Sequence, residues 1–169
     1  MESTQKILEP GDQAPDFDLR GADGERYRLS VALPAGPVLV TFFQQECFAC
    51  EISYLHWDAA YEAQVGDDFQ LWAISLDSER DSVKFWDKSG VSFPVLVDDG
   101  CGIDSYRLVC TPAHFLIGTE GTVIASYDAF DRAAWNAMLS EVERLTGRPV
   151  EPFGTDDGPE FRAGCALHS

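Results

Sequence analysis

Cys47 and Cys50 bracket a Cys-Phe-Ala-Cys segment that begins just after the apolar run Val38 to Phe43. The spacing admits three readings. In the first, the pair is redox-active. If Cys47 opens a helix, the unpaired N–H groups and the helix dipole stabilise its thiolate, the only form that attacks a disulfide. One turn later, Cys50 is placed to displace the mixed disulfide. In the second, the pair is half of a zinc or copper site completed by Cys165 and His168, which have the same spacing in the last residues. In the third, both are small core residues. Zinc pairs usually sit in tight turns, so the end of a strong apolar strand favours the redox pair. The flanking acids Glu46 and Glu51 should oppose a thiolate. The expected Cys47 pKa is therefore only modestly below the free-thiol value of about 8.5.

The elements around this pair follow from apolar periodicity. VLVTFF (38 to 43) is a continuous apolar run, as a buried central strand requires, and FQLWAIS (69 to 75) predicts a second buried strand. Between them Ile52, Leu55, Ala59 and Ala63 recur at helical spacing, predicting one helix from Cys47 to Val65 that Gly66 closes. A short helix capped by Ser78 and stopped by Gly90 precedes the strand FPVLVD (93 to 98). HFLIG and TVIASY flank Thr119-Glu120-Gly121 and predict an antiparallel hairpin. Residues 131 to 147 predict a helix with Trp135, Met138, Leu139, Val142 and Leu145 on one face. Near the start, FDLRGADGERYRLS predicts a small hairpin. The expected fold is α/β, with a mixed sheet flanked by helices. Residues 1–148 form one domain in this reading, and 149–169 an irregular tail or wrapping arm.

Composition narrows the partners. Twelve basic residues against 29 acidic ones give a net charge of −17, which repels nucleic-acid backbones and anionic membranes. No apolar run is long enough to span a bilayer, and the N-terminal residues have no signal-peptide core. The expected location is cytoplasmic, where disulfides are usually transient and catalytic. The five cysteines (47, 50, 101, 110 and 165) are an odd number and do not suggest a structural disulfide framework.

VTFFQQECFAC, FQLWAISLD, FPVLVD and VCTPAHFLIGTEGTVI, in this order after the opening GDQAPDFDLRGADGERYRLS, resemble the thioredoxin-fold redoxins. The similarity covers about residues 10 to 148. It is strongest to the TlpA/ResA-like thiol–disulfide oxidoreductases and the related AhpC/TSA peroxiredoxins. It implies a thioredoxin-like fold with an inserted βα unit and catalytic Cys47 and Cys50. Thr111-Pro112 would be a cis-proline loop binding substrate against the dithiol. It also implies a disulfide-containing protein or small-molecule substrate, a thioredoxin-type thiol reductant as electron donor, and no metal or organic cofactor. The chain departs from this pattern at Thr41, where thioredoxins carry a buried acid. The peroxiredoxin Pro-x-x-x-Thr-x-x-Cys run is absent, because Gln44 and Val40 precede Cys47 at those positions; this disfavours a peroxidase.

The remaining candidates are auxiliary. Cys110, two residues before Pro112, is either a third thiol at the rim or a loop filler. Cys165 is either an extra redox arm or an exposed terminal residue, and the exposed reading is the plainer one. Cys101 reads as a loop or helix-start residue. His114 reads as a core histidine, His56 as partly exposed, and Tyr106 as packing near the proline loop.

Overall fold

The computed structural model describes residues 6–64, 66–150, 152 and 159–167. An antiparallel hairpin, β1 (Asp18–Arg20) and β2 (Arg26–Arg28), leads through the short α1 (Leu29–Ala32) into β3 (Val38–Phe43). Every residue of β3 is buried. Alternate side chains of a strand point to opposite faces, so Leu39 and Phe43 enter one core while Val38, Val40 and Phe42 enter the other. Such a strand must lie in the middle of a sheet covered on both sides.

After β3 come α2 (Phe48–Glu51), α3 (Tyr54–Ala63), β4 (Gln70–Ser75), α4 (Glu79–Ser89), β5 (Val95–Val97) and α5 (Gly102–Ser105). They are followed by β6 (Cys110–Thr111), β7 (Ala113–Ile117), β8 (Val123–Asp128), β9 (Phe130–Asp131), α6 (Arg132–Thr146), β10 (Phe161–Arg162) and β11 (Cys165–Ala166). The central sheet has five strands in the order β5-β4-β3-β7-β8. β4 and β5 run parallel to their neighbours and β7 and β8 antiparallel. Among the described residues, no helix is long and apolar enough to cross a membrane.

Two helices end as their sequences require. The Ser78 hydroxyl accepts from Asp81 N at the start of α4, and Gly90 closes it with φ 71°. Asp131 accepts from Ala134 N at the start of α6, and Gly147 closes that helix with φ 76°.

The expected helix from Cys47 to Val65 is corrected. It breaks at Ile52 and Ser53 into a single turn and a ten-residue helix, and Val65 lies outside the described residues. The buried Ser53 hydroxyl donates to Ala49 O at 2.8 Å, serving a carbonyl that the break leaves without its helical partner. Its phase shifts too. Leu55, expected inside, is 78% exposed, and Trp57 and Ala60 enter the core instead. On α6, Leu145 likewise lies outside the buried face formed by Trp135, Met138, Leu139 and Val142.

The tail is not irregular throughout. β10 pairs antiparallel with β9, and β11 pairs antiparallel with β6. Residues 159–167 therefore form the wrapping arm that was the alternative to a loose terminus.

Candidate active site

β3 carries the chain through the middle of the sheet to its own C-terminal end, where Gln44 and Gln45 turn it. The Gln45 amide donates to Asp77 Oδ2 at 2.9 Å, and Cys47 N donates to Gln45 O at 2.9 Å. This turn places Cys47 at the N-cap of α2 with extended backbone, φ −148° and ψ 107°. Cys50 N donates to Cys47 Sγ at 3.2 Å. Opposite stands the loop between β6 and β7, whose Thr111-Pro112 peptide bond is cis. Ala129 N donates to Pro112 O at 2.8 Å and ties that loop to the end of β8.

The two loops meet at the sulfur. Thr111 Oγ1 donates to Cys47 Sγ at 3.6 Å, and the Cys47 thiol faces Thr111 O at 3.5 Å. Gln44 Nε2 donates to Thr111 Oγ1 at 2.7 Å, leaving the Thr111 hydroxyl hydrogen directed at the sulfur. The structure thus brings together Cys47, Cys50, Thr111 and Pro112. It adds Gln44, whose role no motif suggested; the only trace was an amide at the end of an otherwise apolar strand.

The two sulfurs differ sharply in environment. Donors converge on Cys47, first the Cys50 thiol and then the Cys165 and Thr111 side chains and the Cys50 amide. Against the opposing effect of burial, they pull its pKa down to about 6. This corrects the expected modest shift. Glu46 and Glu51 are both exposed and are not among the main groups acting on the sulfur. With only one turn in α2, the stabilisation comes from individual hydrogen-bond donors rather than from a long helix dipole. Cys50 is the reverse case. Burial, reinforced by the neighbouring Cys47 thiolate, pushes its pKa far up.

Thr41 occupies the position of the buried acid, and its hydroxyl has no hydrogen-bond partner among the described residues. Across from it on β7 is His114. His114 is fully buried, accepts from Trp57 Nε1 at 3.2 Å and stacks on Tyr127 at 4.2 Å. Burial lowers its pKa to about 3, so it stays neutral.

Cys110 is half-buried, and burial followed by the Asp128 charge pushes its thiol up to about 12. Cys101 is exposed and stands at the N-cap position of α5, where its side chain makes no cap hydrogen bond. Tyr106 packs on Phe42 and Phe115 and donates to Pro15 O at 2.6 Å, in the core on the other side of the sheet from the dithiol. Cys165 corrects the plainer expectation. Its thiol is half-buried and interacts with Cys47 Sγ and with the backbone amides of Ala49 and Phe48. His168 lies outside the described residues. All five cysteines are free thiols.

The AhpC/TSA family profile matches residues 10–126. The chain belongs to the AhpC/TSA family. This AhpC/TSA-family protein is an oxidoreductase with a thioredoxin-like fold, as its relatives indicate. The thiol-disulfide oxidoreductase ResA of Bacillus subtilis is 29% identical over 122 residues, 71% of this chain and 68% of ResA. ResA of Halalkalibacterium halodurans is 27% identical, over 71% of this chain and 69% of its own. Among solved structures, a putative thiol:disulfide interchange protein DsbE from Chlorobium tepidum is 30% identical with a TM-score of 0.69, covering 81% of this chain and 97% of that one.

Proposed function

We propose that this protein is a thiol–disulfide oxidoreductase that cycles Cys47 and Cys50 between dithiol and disulfide in the direction that reduces substrate disulfides. The Cys47 thiolate attacks one sulfur of the substrate disulfide. That S–S bond breaks, and the far sulfur leaves as a thiolate and takes up a proton. Cys50 then gives up its proton and attacks Cys47 Sγ, releasing the second substrate thiol and closing the Cys47–Cys50 disulfide. Two electrons pass from the dithiol to the substrate, and a thioredoxin-type thiol donor restores them. The substrate is a disulfide-containing protein or small molecule, and the steps need no metal or organic cofactor. The cytoplasmic location expected from the sequence goes with this reducing direction.

The observation that carries this reading is the asymmetry of the two sulfurs. One is surrounded by donors and lowered to about 6. The other is buried and held protonated until a mixed disulfide forms beside it. This is the division of labour between attacking and resolving cysteine. The names of the ResA and DsbE relatives point the same way.

Cys50→Ser should stall the cycle and accumulate a mixed disulfide on Cys47. After mild oxidation of the wild type, alkylation and mass spectrometry should find Cys47 and Cys50 protected together. Independent labelling of the two would sink the proposal. Rapid peroxide consumption with a thioredoxin-type reductant, without protein-disulfide reduction, would replace it with the peroxidase reading.

A further inference from the structure

The cycle above makes no use of residues 159–167, yet they lie on its nucleophile. Cys47 is only 2% exposed, although the arm over it is itself exposed or half-buried at every described position. β11 runs antiparallel to β6 with Cys165 opposite Thr111 and Ala166 opposite Cys110. An extended peptide bound by strand addition uses such an edge, taking affinity from the backbone and specificity from alternate side chains.

The receiving side is built for a backbone. Gln44 is completely buried, and its amide reaches both Thr111 Oγ1 and, at 3.0 Å, the carbonyl oxygen of Ala166. Gly164 makes the approach possible. A Cβ there would stand 2.4 Å from Cys110 Sγ and 3.0 Å from Thr111 O. Upstream, the Arg162 guanidinium lies 4.6 Å over the ring of Phe48, and Arg132 N donates to Glu160 O at 3.0 Å. The arm thus presents a sulfur, Cys165, to Cys47 along the edge of the proline loop.

We propose that residues 159–167 are a built-in pseudo-substrate strand and that Cys165 is a third redox cysteine, forming a disulfide with Cys47. The step is an internal exchange. Cys165 sulfur attacks Cys47 Sγ in the Cys47–Cys50 disulfide, the Cys47–Cys165 bond forms, and the Cys47–Cys50 bond breaks. Cys50 leaves as a thiolate and takes the proton that Cys165 gives up, so no electrons are gained or lost. The Cys47–Cys165 form locks the arm into the groove and closes it to outside substrates. Full reduction leaves only the weak arm contacts, which a substrate strand can displace. This inference rests on Cys47 being the nucleophile, as proposed above.

Two measurements on the full chain test it. Cys50→Ser protein is oxidised with glutathione disulfide, digested without reduction and mapped by mass spectrometry. A Cys47–Cys165 linked peptide is expected as the main product; glutathione retained on Cys47 with Cys165 free overturns the proposal. Should that variant not fold, the same linked peptide is sought in oxidised wild type, where its absence has the same meaning. Gly164→Val is expected to lift the arm. The plateau rate of Cys47 alkylation by iodoacetamide should then rise about tenfold, as when a site goes from about one-tenth open to fully open. The midpoint of the rate-versus-pH curve should also move upward as the Cys165 contact is lost. An unchanged plateau and midpoint overturn the covering role. Reduction of a disulfide-bonded protein such as insulin separates the two readings. Wild-type turnover without a Cys47–Cys165 link defeats the arm proposal alone, whereas a link without turnover defeats the reductase reading and leaves the arm proposal standing.

Discussion

The N-terminal segment and the C-terminal arm both wrap onto the sheet from outside, but they are held by different physics. The first brings Leu8, Ala14, Leu19, Leu29 and Leu33 into the core, none more than 6% exposed. It is fastened by Asp16, which accepts from the Ser30 amide and hydroxyl at 2.9 Å each, and by Gly11 N and Ala14 N donating to Val123 O and Gly121 O. The arm buries no residue completely; its one large aromatic, Phe161, is 59% exposed. Full burial of a leucine contributes about 1.5–3 kcal/mol. The N-terminal segment therefore cannot leave without unfolding the domain, whereas the arm can leave at small cost. One segment is a wall and the other a latch, and apolar burial is the difference between them.

The largest effect expected from this difference is in stability. Leu29→Ala should destabilise the protein by about 2–5 kcal/mol in urea unfolding, the usual cost of a buried leucine-to-alanine cavity. Phe161→Ala should stay within about 0.5 kcal/mol. Comparable losses in the two variants would erase the distinction and make the arm part of the core.

Much of the frame was legible in the sequence because it is local. Val38 to Phe43 is an apolar run interrupted only by Thr41 and bounded by Pro37 and Gln44, and it is a strand over those same residues. Ser78 and Gly90 announced helix ends by residue type alone. The cysteine pair was legible from its spacing at a strand-to-helix junction, and the proline loop through resemblance to the family. The misreadings were non-local. Leu55 fits a helical stripe that continues from Ile52, but the break at Ser53 rotates the following turns and brings Trp57 inward. β10 and β11 are two residues each. Strands that short have no period, and what holds them (β9 and Phe48 for β10, the β6 edge and Gln44 for β11) lies far off in the chain, Asp131 opposite Phe161 being the nearer case. Glu46 and Glu51 are neighbours of Cys47 in the chain, but in space the Cys50, Cys165 and Thr111 side chains are the main groups acting on its sulfur.

The next effect is pH-dependent stability of the reduced protein. The folded Cys47 pKa, about 6, lies below the free-thiol value of about 8.5. A lowered acid pKa stabilises the fold fully above the unfolded value, and that stability is lost as pH falls through the folded one. The gain should therefore fade between about pH 8.5 and 6 and amount to at most about 3 kcal/mol. Urea midpoints of the reduced wild type should drop over that window relative to Cys47→Ser, and parallel curves would remove the thiolate from the account. Thr111→Val deletes one donor to the sulfur and should raise the alkylation midpoint by up to about one pH unit. No change would mean that the hydroxyl points elsewhere.

Glu46→Gln should have the smallest effect, and it sharpens the comparison between neighbours in sequence and neighbours in space. Glu46 adjoins the nucleophile in the chain but is exposed, whereas Cys165, 118 residues away in sequence, interacts with the sulfur itself. A unit charge roughly 7 Å away through water contributes about 0.6 kcal/mol before salt screening. The alkylation midpoint of Glu46→Gln should therefore fall by less than about half a pH unit. Cys165→Ala should shift it upward by more, because it deletes a direct donor to the thiolate. Rate-versus-pH curves of the two variants, run side by side at one ionic strength, decide between the two kinds of neighbour. A larger shift from Glu46→Gln would mean that through-solvent charge governs this thiol and that the arm contributes little to its reactivity.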